Sequence, residues 1–404
     1  MKWEKVKLGD ICKYVTSGGT PKSSIKEYYE PKQIPWLKTK EVNYCRIYET
    51  EAYISKDGLD NSSAKMIPQN SVIVAMYGQG DTAGRVAINK IPLTTNQACC
   101  NLIIDETKAY YEFVYYQLVA LYEKMVSLKN GGAQPNLNAA IIKSMEIKLP
   151  PLKTQRYIAD ILSSYDNLIE NNQKQIKLLE EAAQRIYKEW FVDLRFPGHE
   201  NTKIVDGVPE GWQIAGIADI CDTVGGGTPS TKIQSYYEKG DILWVTPTDI
   251  TRNFSLALLD TEKKITPEGL KNSSAKMLPA ETILMTSRAS VGFFGMCKYE
   301  VCTNQGFISC IPKRENLQMY LLFNLKSRVE EIRQKAGGST YLEISKTVFR
   351  ELKIILPKDE VLAEYQKNVH DIFDEIYCRT EMIKSLVDMR NRLLPKLMSG
   401  EVEV

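Results

Sequence analysis

Two long stretches of the chain have apolar side chains at alternating spacings of four and three residues, the heptad pattern of a coiled-coil helix. Neither stretch contains a proline or a glycine before Pro395. At about 1.5 Å per residue, each predicted helix would be on the order of 50 Å long. The seam positions are Ile158, Leu162, Tyr165, Ile169, Asn172, Ile176, Leu179, Ala183, Ile186 and Trp190 in the first stretch, and Tyr365, Val369, Ile372, Ile376, Arg379, Ile383, Leu386, Arg390, Leu393 and Leu397 in the second.

The segment before each of these stretches has a different pattern, with short alternating or apolar runs between clusters of Gly, Pro, Asn and Asp. Such runs are typical of strands and turns. One helical pattern interrupts them, YEFVYYQLVALYEKMVSL in the first segment and LQMYLLFNLKSRVEEIRQK in the second. The patterns predict an α+β domain before each long helix.

The chain is an internal duplication. Trp3 leads into LGDICKYVTSGGTPKS, and Trp212 leads into IADICDTVGGGTPST. Further on, LDNSSAKMIP matches LKNSSAKMLP, TTNQ matches CTNQ, and GGAQPNLN matches GGSTYLEIS. The runs MEIKLP and LKIILP, which end at Pro150 and Pro357, close the two copies. Ordered matches of this kind are the signature of a repeated architecture.

The duplication predicts a pseudo-two-fold axis and therefore antiparallel pairing of the two helices. In that pairing the polar seam residues Asn172 and Arg379 fall in neighbouring layers, where we expect them to set the register at some cost in stability. The alternative is that both seams belong to the core of a domain. The predicted divisions are a domain at 1–150, a long helix at 151–196, a linker and second domain at 197–357, and a long helix with a tail at 358–404.

Composition limits the class of protein. The formal net charge is only +2, so DNA binding would need locally basic loops or a partner with its own phosphate contacts. Nine cysteines without a C-x-x-C pair predict reduced, mostly buried thiols. No apolar run suits a signal peptide or a membrane span, so we expect a cytoplasmic protein.

Catalytic patterns are missing from the sequence. The two histidines, His199 and His370, show no metal-ligand spacing to cysteines or carboxylates, and there is no phosphate-binding G-x-x-x-x-G-K-[ST] loop. The glycines between Gly78 and Gly84 are followed by another strand pattern, which favours a turn or a DNA-facing loop over a cofactor site. We find neither an adenine-methyltransferase motif nor a nuclease pattern. The expectation is a non-catalytic chain without metal or cofactor.

The chain resembles the specificity subunits of type I restriction-modification systems over essentially its whole length. The strongest match is LPPLKTQRYIADILSSYDNLIENNQKQIKLLEEAAQRIYKEWFVD, which is similar to the central conserved helix of that family. The C-terminal LLPKLMSGEV and the GGTP, SSAK and TNQ segments also match. The second helix departs from the pattern at its entry, where PKDEVLAEYQ replaces the Pro-Pro-Leu and Gln residues.

The resemblance implies that each domain is a target-recognition domain that reads one half of a split DNA sequence. It also implies that the helices set the spacer and dock two adenine-N6 methyltransferase subunits, and through these the ATP-dependent restriction subunits. S-adenosylmethionine, ATP and magnesium would then be bound by the partner subunits. The alternative is a stand-alone coiled-coil DNA-binding or scaffold protein outside a restriction system.

Base reading requires polar side chains on exposed loops, and three loop groups recur in both copies while their residues differ. We interpret the change from two lysines to an acid in the first group as a difference in the bases read. The candidate DNA-binding residues are Lys38, Thr39, Lys40, Tyr77, Gln79, Arg85, Gln134 and Asn136 in the first copy, and Thr246, Thr248, Asp249, Ser287, Arg288, Ser290, Ser339, Thr340 and Tyr341 in the second.

A further set of polar residues is identical in the two copies, which argues against base discrimination. Turn capping, frame hydrogen bonds or phosphate contacts are favoured for them. They are Ser62, Ser63, Lys65, Asn96 and Gln97, repeated as Ser273, Ser274, Lys276, Asn304 and Gln305. For Trp190 and Phe191, the sequence leaves open both packing in the seam and a part in the methyltransferase dock.

Overall fold

The computed structural model describes residues 3–129, 136–338 and 342–402. Its contacts divide the chain into two compact units, Met1–Asn167 with Leu386–Val404, and Leu168–Ser385. These divisions differ from the ranges drawn from the sequence, because each unit includes a part of both long helices.

The first unit combines small sheets with short helices. Its strands are β1 Glu4–Lys7, β2 Cys12–Ser17, β3 Ile34–Leu37, β4 Cys45–Ile47, β5 Tyr53–Ile54, β6 Val72–Ala75, β7 Val86–Asn89, β8 Thr94–Thr95, β9 Cys99–Ile104 and β10 Glu146–Leu149. Its helices are α1 Lys56–Asp60, α2 Tyr111–Ala120, α3 Tyr122–Ser127, α4 Ala139–Ser144 and the first part of α5 Leu152–Tyr187. A five-stranded sheet has the order β2-β9-β6-β7-β4, a three-stranded sheet the order β5-β3-β8, and β1 pairs with β10.

The second unit repeats this arrangement. Its strands are β11 Ile204–Val205, β12 Val208–Pro209, β13 Gln213–Gly216, β14 Cys221–Val224, β15 Ile242–Val245, β16 Lys264–Ile265, β17 Ile283–Thr286, β18 Phe294–Gly295, β19 Cys302–Thr303, β20 Phe307–Pro312 and β21 Lys353–Leu356. Its helices are α6 Ile217–Ile220, α7 Pro247–Thr251, α8 Pro267–Lys271, α9 Gln318–Ser327, α10 Val329–Lys335, α11 Lys346–Arg350 and the main part of α12 Asp359–Ser399. The sheet orders are β14-β20-β17-β18, β16-β15-β19 and β13-β21, beside a β11–β12 hairpin.

Corresponding strands pair in the same way in the two units, which confirms the duplication. Trp36 on β3 lies opposite Thr94 in a parallel pair, and Trp244 on β15 lies opposite Cys302 in a parallel pair. The first and last strands of each repeat also pair antiparallel, β1 with β10 and β13 with β21. The α+β class with two repeated domains is therefore confirmed.

The two long helices pack antiparallel within each unit, as predicted. In the first unit, the start of α5 shares a buried core with the end of α12, through Ile158 and Leu162 beside Leu394 and Leu397. In the second unit, the Arg379 Nη1 of α12 donates to Asn172 Oδ1 of α5 at 3.1 Å. The predicted meeting of these two polar seam residues is confirmed.

The seam residues are buried or half-buried, as the heptad pattern predicts. Ile158, Leu162, Ile169, Ile176, Val369, Ile376 and Ile383 are buried, and Tyr165, Leu179, Ile186, Trp190, Ile372, Leu386 and Leu393 are half-buried. A second face of each helix packs on the adjacent domain, where Ser255 and Thr380 share a hydrogen bond of 3.0 Å between their hydroxyls. The helices therefore serve both as a paired seam and as part of the core of each domain.

Replacing both Asn172 and Arg379 with leucine should raise the melting temperature. Asn172 is buried, and Arg379 Nε is buried without a hydrogen-bond partner among the described residues. Exchange of a buried polar pair for apolar residues is neutral or stabilises by about 1–4 kcal/mol, whereas removal of one partner leaves the other unsatisfied. The melting temperature of the double variant, measured by thermal unfolding, should therefore also be higher than that of Arg379→Leu alone. A double variant that melts below the unchanged chain would contradict the expectation.

A glutamine near the start of each long helix forms a hydrogen bond with the backbone of the adjacent domain. Gln155 is buried, and its Oε1 accepts from the Tyr110 backbone N–H at 2.8 Å. Where the second helix departs from the entry pattern, Gln366 lies further along the helix and accepts from the Met319 backbone N–H at 2.9 Å. The changed entry sequence thus retains the same kind of contact.

A π-helical turn, Lys188–Val192, ends α5. There Phe191 packs on Tyr320 and Tyr365, with ring centroids 4.7 and 4.8 Å apart, and Trp190 packs on Tyr365 at 5.7 Å. Between the two interpretations of Trp190 and Phe191, the structure therefore supports packing.

All nine cysteines are free thiols, and only Cys378 is exposed. Among the described helices, none has the length and apolarity needed to cross a bilayer.

Candidate DNA-recognition surfaces

A frame of loop contacts organises one surface of the first unit. The Gly19 N–H donates to the Thr95 carbonyl at 2.8 Å, and the Gly19 carbonyl accepts from Trp36 Nε1 at 3.0 Å. A Cβ added at Gly19 would lie 2.5 Å from Ser63 Oγ and closer still to backbone atoms of Ser63 and Ala64. The GGTP, SSAK and TNQ segments therefore meet around one glycine, beside the end of β3.

The second unit has the same frame. The Gly227 N–H donates to the Thr303 carbonyl at 2.9 Å, and the Gly227 carbonyl accepts from Trp244 Nε1 at 3.0 Å. A Cβ added there would lie 2.5 Å from the Ser274 carbonyl carbon and closer to Ser274 Oγ. Segments that are identical in sequence thus make identical contacts, which is the frame role favoured for the shared residues.

Some of the residues that are identical in the two copies are bonded within the frame, and others are exposed on the surface. Ser62 and Ser273 cap their turns, because each Oγ accepts a backbone N–H two residues further on, at 3.2 and 3.3 Å. Asn96 Oδ1 accepts from Thr39 Oγ1 at 2.8 Å. Lys65 and Lys276 are exposed, with no hydrogen-bond or ion-pair partner in the part of the chain that the structure describes.

The first loop group of the first unit is largely occupied by local contacts. Thr39 is buried and bonded to Asn96, and Lys40 forms an ion pair with Glu51. The ammonium of Lys38 lies over the Trp36 ring, 5.6 Å from its centroid. Of these candidates, Thr39 is the least available to a base.

In the corresponding group of the second unit, Asp249 has a different counterpart from the lysine with which the sequence comparison paired it. Asp249 Oδ2 accepts from the Thr246 backbone N–H and hydroxyl, both at 2.7 Å. In the first unit Glu41 Oε1 accepts from the Lys38 backbone N–H at 2.8 Å. Asp249 therefore corresponds to Glu41 rather than to Lys40, and its carboxylate caps a turn. The difference from lysine to acid does not support a difference in the bases read.

Thr248 is the member of this group with a side chain that remains available. It is half-buried and makes no side-chain hydrogen bond to the residues that the structure describes. It lines an open cavity of about 320 Å³ together with Arg252 and Phe254, both of them exposed. Arg252 is not among the residues predicted from the sequence, although an arginine three residues after Asp249 is a usable signal.

The second loop group of the first unit lies between β6 and β7. Gln79 is exposed, and its side chain makes no bond within the described ranges. Arg85 donates to Asn43 Oδ1 at 2.8 Å and to Asp81 Oδ1 at 2.6 Å. Tyr77 is half-buried, and burial raises the pKa of its hydroxyl, which keeps it protonated as a donor.

In the second unit the same loop holds an arginine differently. Arg288 donates through two nitrogens to the Glu343 carboxylate, at 3.0 Å each. Ser287 is buried and Ser290 half-buried. Exposed ion pairs contribute only about 0–1 kcal/mol, so the exposed Arg288 can exchange Glu343 for DNA at little cost.

Most of the third loop group lies outside the described residues. This holds for Gln134, Ser339, Thr340 and Tyr341. Asn136 is described and exposed. Beside it, the Leu137 N–H donates to the Met76 carbonyl at 3.0 Å, and in the second unit the Ile344 N–H donates to the Ser287 carbonyl at 3.0 Å. The described ends of the third group therefore lie against the second group in each unit.

One cluster of possible metal ligands was missed. His370 Nε2 lies 3.0 Å from Glu281 Oε2, and His370 Nδ1 lies 3.5 Å from Asp374 Oδ2. The prediction that neither histidine lies near a carboxylate cluster at metal-ligand spacing was therefore wrong for His370, while His199 Nδ1 lies 3.5 Å from the single carboxylate of Glu200. The i,i+4 spacing to Asp374 was visible in the sequence, whereas Glu281 is 89 positions away. Lys298 Nζ lies 2.6 Å from Asp374 Oδ1 and already balances part of the negative charge.

Both long helices leave some apolar side chains exposed. In the first unit these are Tyr157 and Met389, and in the second unit Leu168, Leu178 and Met382, each 49–62% exposed. Single exposed apolar residues are ordinary, so these five do not by themselves define a contact surface.

Comparison with known proteins agrees with this architecture. The model of the type I restriction modification DNA specificity domain matches residues 1–181 and again residues 209–387. The MjaIX specificity subunit of Methanocaldococcus jannaschii is 29% identical, over 100% of this chain and 94% of that protein. The HindI specificity subunit of Haemophilus influenzae is 24% identical, over 99% of both.

A solved structure supports the fold. The type I restriction-modification S subunit from M. genitalium aligns with 98% of this chain and 96% of its own, at a TM-score of 0.59 and 16% identity. The family model covers most of the chain, in two copies that coincide with the two repeated domains. The chain therefore belongs to the family of type I restriction-modification DNA specificity subunits.

Proposed function

We propose that each unit reads one half of a bipartite DNA target, while the paired helices fix the spacer between the halves and dock two methyltransferase subunits. The observation that carries this proposal is the duplicated frame, which holds loops that differ between the units. Gln79 and Arg85 in one unit are replaced by a differently held Arg288 in the other. One scaffold with two sets of loop side chains suits two different half-targets.

The chain itself is assigned no catalytic step. The adenine-N6 methylation and the ATP-dependent cleavage of the assembled complex belong to the methyltransferase and restriction subunits, which would bind S-adenosylmethionine, ATP and magnesium. Partner subunits with basic surfaces would also explain how a chain of net charge +2 acts on DNA.

Long-read sequencing that detects N6-methyladenine tests the proposal. A host expressing this chain with its candidate methyltransferase is compared with a host expressing the methyltransferase alone. A split motif methylated on both strands only when this chain is present is the expected result. An active methyltransferase that gains no new motif from the soluble chain would contradict the proposal.

Docking on the helices can be followed through the exposed thiol of Cys378. It lies one helical turn before Met382 on α12, so both side chains lie on the same face. Cys99 and Cys100 provide an internal reference, since burial raises the pKa of each to about 12 and leaves them as unreactive thiols.

We expect a maleimide to label Cys378 rapidly in the isolated chain and at least several-fold more slowly after the methyltransferase subunit is added. Mass spectrometry of the labelled peptide measures the rate. Cys378→Ser identifies the background from the other thiols. Equal labelling of Cys378 in the isolated chain and in the assembled complex would exclude this face of α12 from the dock.

A further inference from the structure

The SSAKM segment has the same exposed residues in both units. Lys65 and Lys276 are exposed, and so are the methionines that follow them, Met66 at 42% and Met277 at 39%. The frame uses the residues just before them, Ser63 with Ala64 and Ser274 with Ala275. Neither ammonium has a partner within the described ranges, so packing does not account for the repeated lysine.

A glutamine in the TNQ segment is also presented identically. Thr20 Oγ1 donates to Gln97 Oε1, and Thr228 Oγ1 donates to Gln305 Oε1. This bond fixes the amide plane through its oxygen and leaves the two N–H donors of Nε2 unused. Both glutamines are exposed, and neither Nε2 has an acceptor among the residues that the structure describes.

The frame brings these donors to the same part of the surface. Thr20 directly follows Gly19, whose Cα lies against the backbone of Ser63 and Ala64, and Lys65 is the next residue. In the second unit Thr228 follows Gly227, which lies against Ser274 and Ala275, and Lys276 is next. One glycine contact in each unit thus links the segments that carry the glutamine and the lysine.

The chemistry of this repeated pair indicates its ligand. It offers one positive charge and two amide donors in each unit. Two identical sets of donors cannot distinguish the different half-targets that the divergent loops would read. An anionic acceptor that is present in every DNA sequence is the phosphodiester.

We propose that Lys65 with Gln97, and Lys276 with Gln305, form two equivalent phosphate-contact sites that hold DNA against each unit independently of sequence. The inference rests on the proposed function, since it places the DNA backbone beside the reading loops. The sites set the register of the duplex, and the loops discriminate bases.

The experiment uses the complex of the full chain with its methyltransferase subunit. We measure its binding to two DNA duplexes over a series of salt concentrations. One duplex contains the sequence that the complex methylates, and the other has an unrelated sequence. The variants are Lys65→Ala/Lys276→Ala and Gln97→Glu/Gln305→Glu. The glutamate variant retains an oxygen that accepts from Thr20 or Thr228 but replaces the amide donors with negative charge. The control is Lys7→Ala/Lys353→Ala, which removes two exposed lysines from β1 and β21.

The lysine variant should weaken binding to both duplexes by the same factor and reduce the slope of log K against log salt by about 2, one for each phosphate contact. The glutamate variant should weaken binding at least as much, and the ratio of the affinities for the two duplexes should stay the same. A salt slope equal to that of the control variant, or a changed ratio of the two affinities, would overturn the phosphate sites. Failure of the proposed function itself is distinguishable, because the unchanged complex would then show no preference for the target duplex.

Discussion

Replacing Gly19 with alanine should destabilise the first unit by about 3 kcal/mol or more and abolish its contribution to DNA binding. The new methyl group would overlap backbone atoms of Ser63 and Ala64, which cannot move without breaking the frame. Overpacking of a well-packed interior typically costs about 1–3 kcal/mol, and backbone neighbours place this site at the upper end or above. Gly227→Ala should have the corresponding effect on the second unit.

Gly337→Ala is the matched control, because an added Cβ there has no atom within 4 Å among the described residues. Chemical denaturation followed by tryptophan fluorescence suits the comparison, since Trp36 and Trp244 bond directly to the two frame glycines. If Gly19→Ala unfolds at the same denaturant concentration as Gly337→Ala, the frame is looser than its contacts indicate.

The second large effect is expected for Arg390→Ala, which should destabilise the first unit by about 3–5 kcal/mol. Arg390 Nη1 donates to Asp166 Oδ1 at 2.5 Å, and Tyr116 Oη donates to Asp166 Oδ2 at 2.5 Å. Asp166 is 8% exposed, so removal of the guanidinium takes a directly bonded counter-charge from a buried carboxylate. Burial and the neighbouring Asp166 carboxylate raise the pKa of Tyr116, which therefore remains a donor but supplies no positive charge.

A double variant separates charge from packing. Arg390→Met/Asp166→Asn keeps an acceptor for Tyr116 and removes both charges, so it should be more stable than Arg390→Ala. Denaturation of the unchanged chain, Arg390→Met, Asp166→Asn and the double variant gives the coupling energy of the pair. Additive effects would mean that the contact between Arg390 and Asp166 contributes nothing of its own.

The elements governed by short-range patterns could be predicted from the sequence. The heptad spacing predicts both long helices and the burial of their seams, and the duplication predicts the antiparallel meeting of Asn172 with Arg379. Residues that are identical in the two copies could be told apart from the divergent loop residues as members of the frame. This works because the frame makes the same contacts in both units. Trp36 and Trp244 illustrate this, each bonded to the second glycine of its GGTP segment.

The partners of individual polar side chains could not be predicted, since they come from distant parts of the chain. Glu343 is 55 positions from Arg288, and Glu281 is 89 positions from His370. The alignment of short loops failed for a related reason. Asp249 and Glu41 have the same capping role, but the difference in residue type obscured their correspondence.

The division of the chain into units has a consequence for synthesis on the ribosome. The second unit is one continuous segment, Leu168–Ser385, whereas the core of the first unit includes Leu394, Leu397 and Met398. All residues of the second unit are therefore made before the first unit can close its core, although the first unit starts the chain. A nascent chain arrested after residue 385 would hold a complete second unit beside an open first one, with Ile158 and Leu162 lacking their partners from α12.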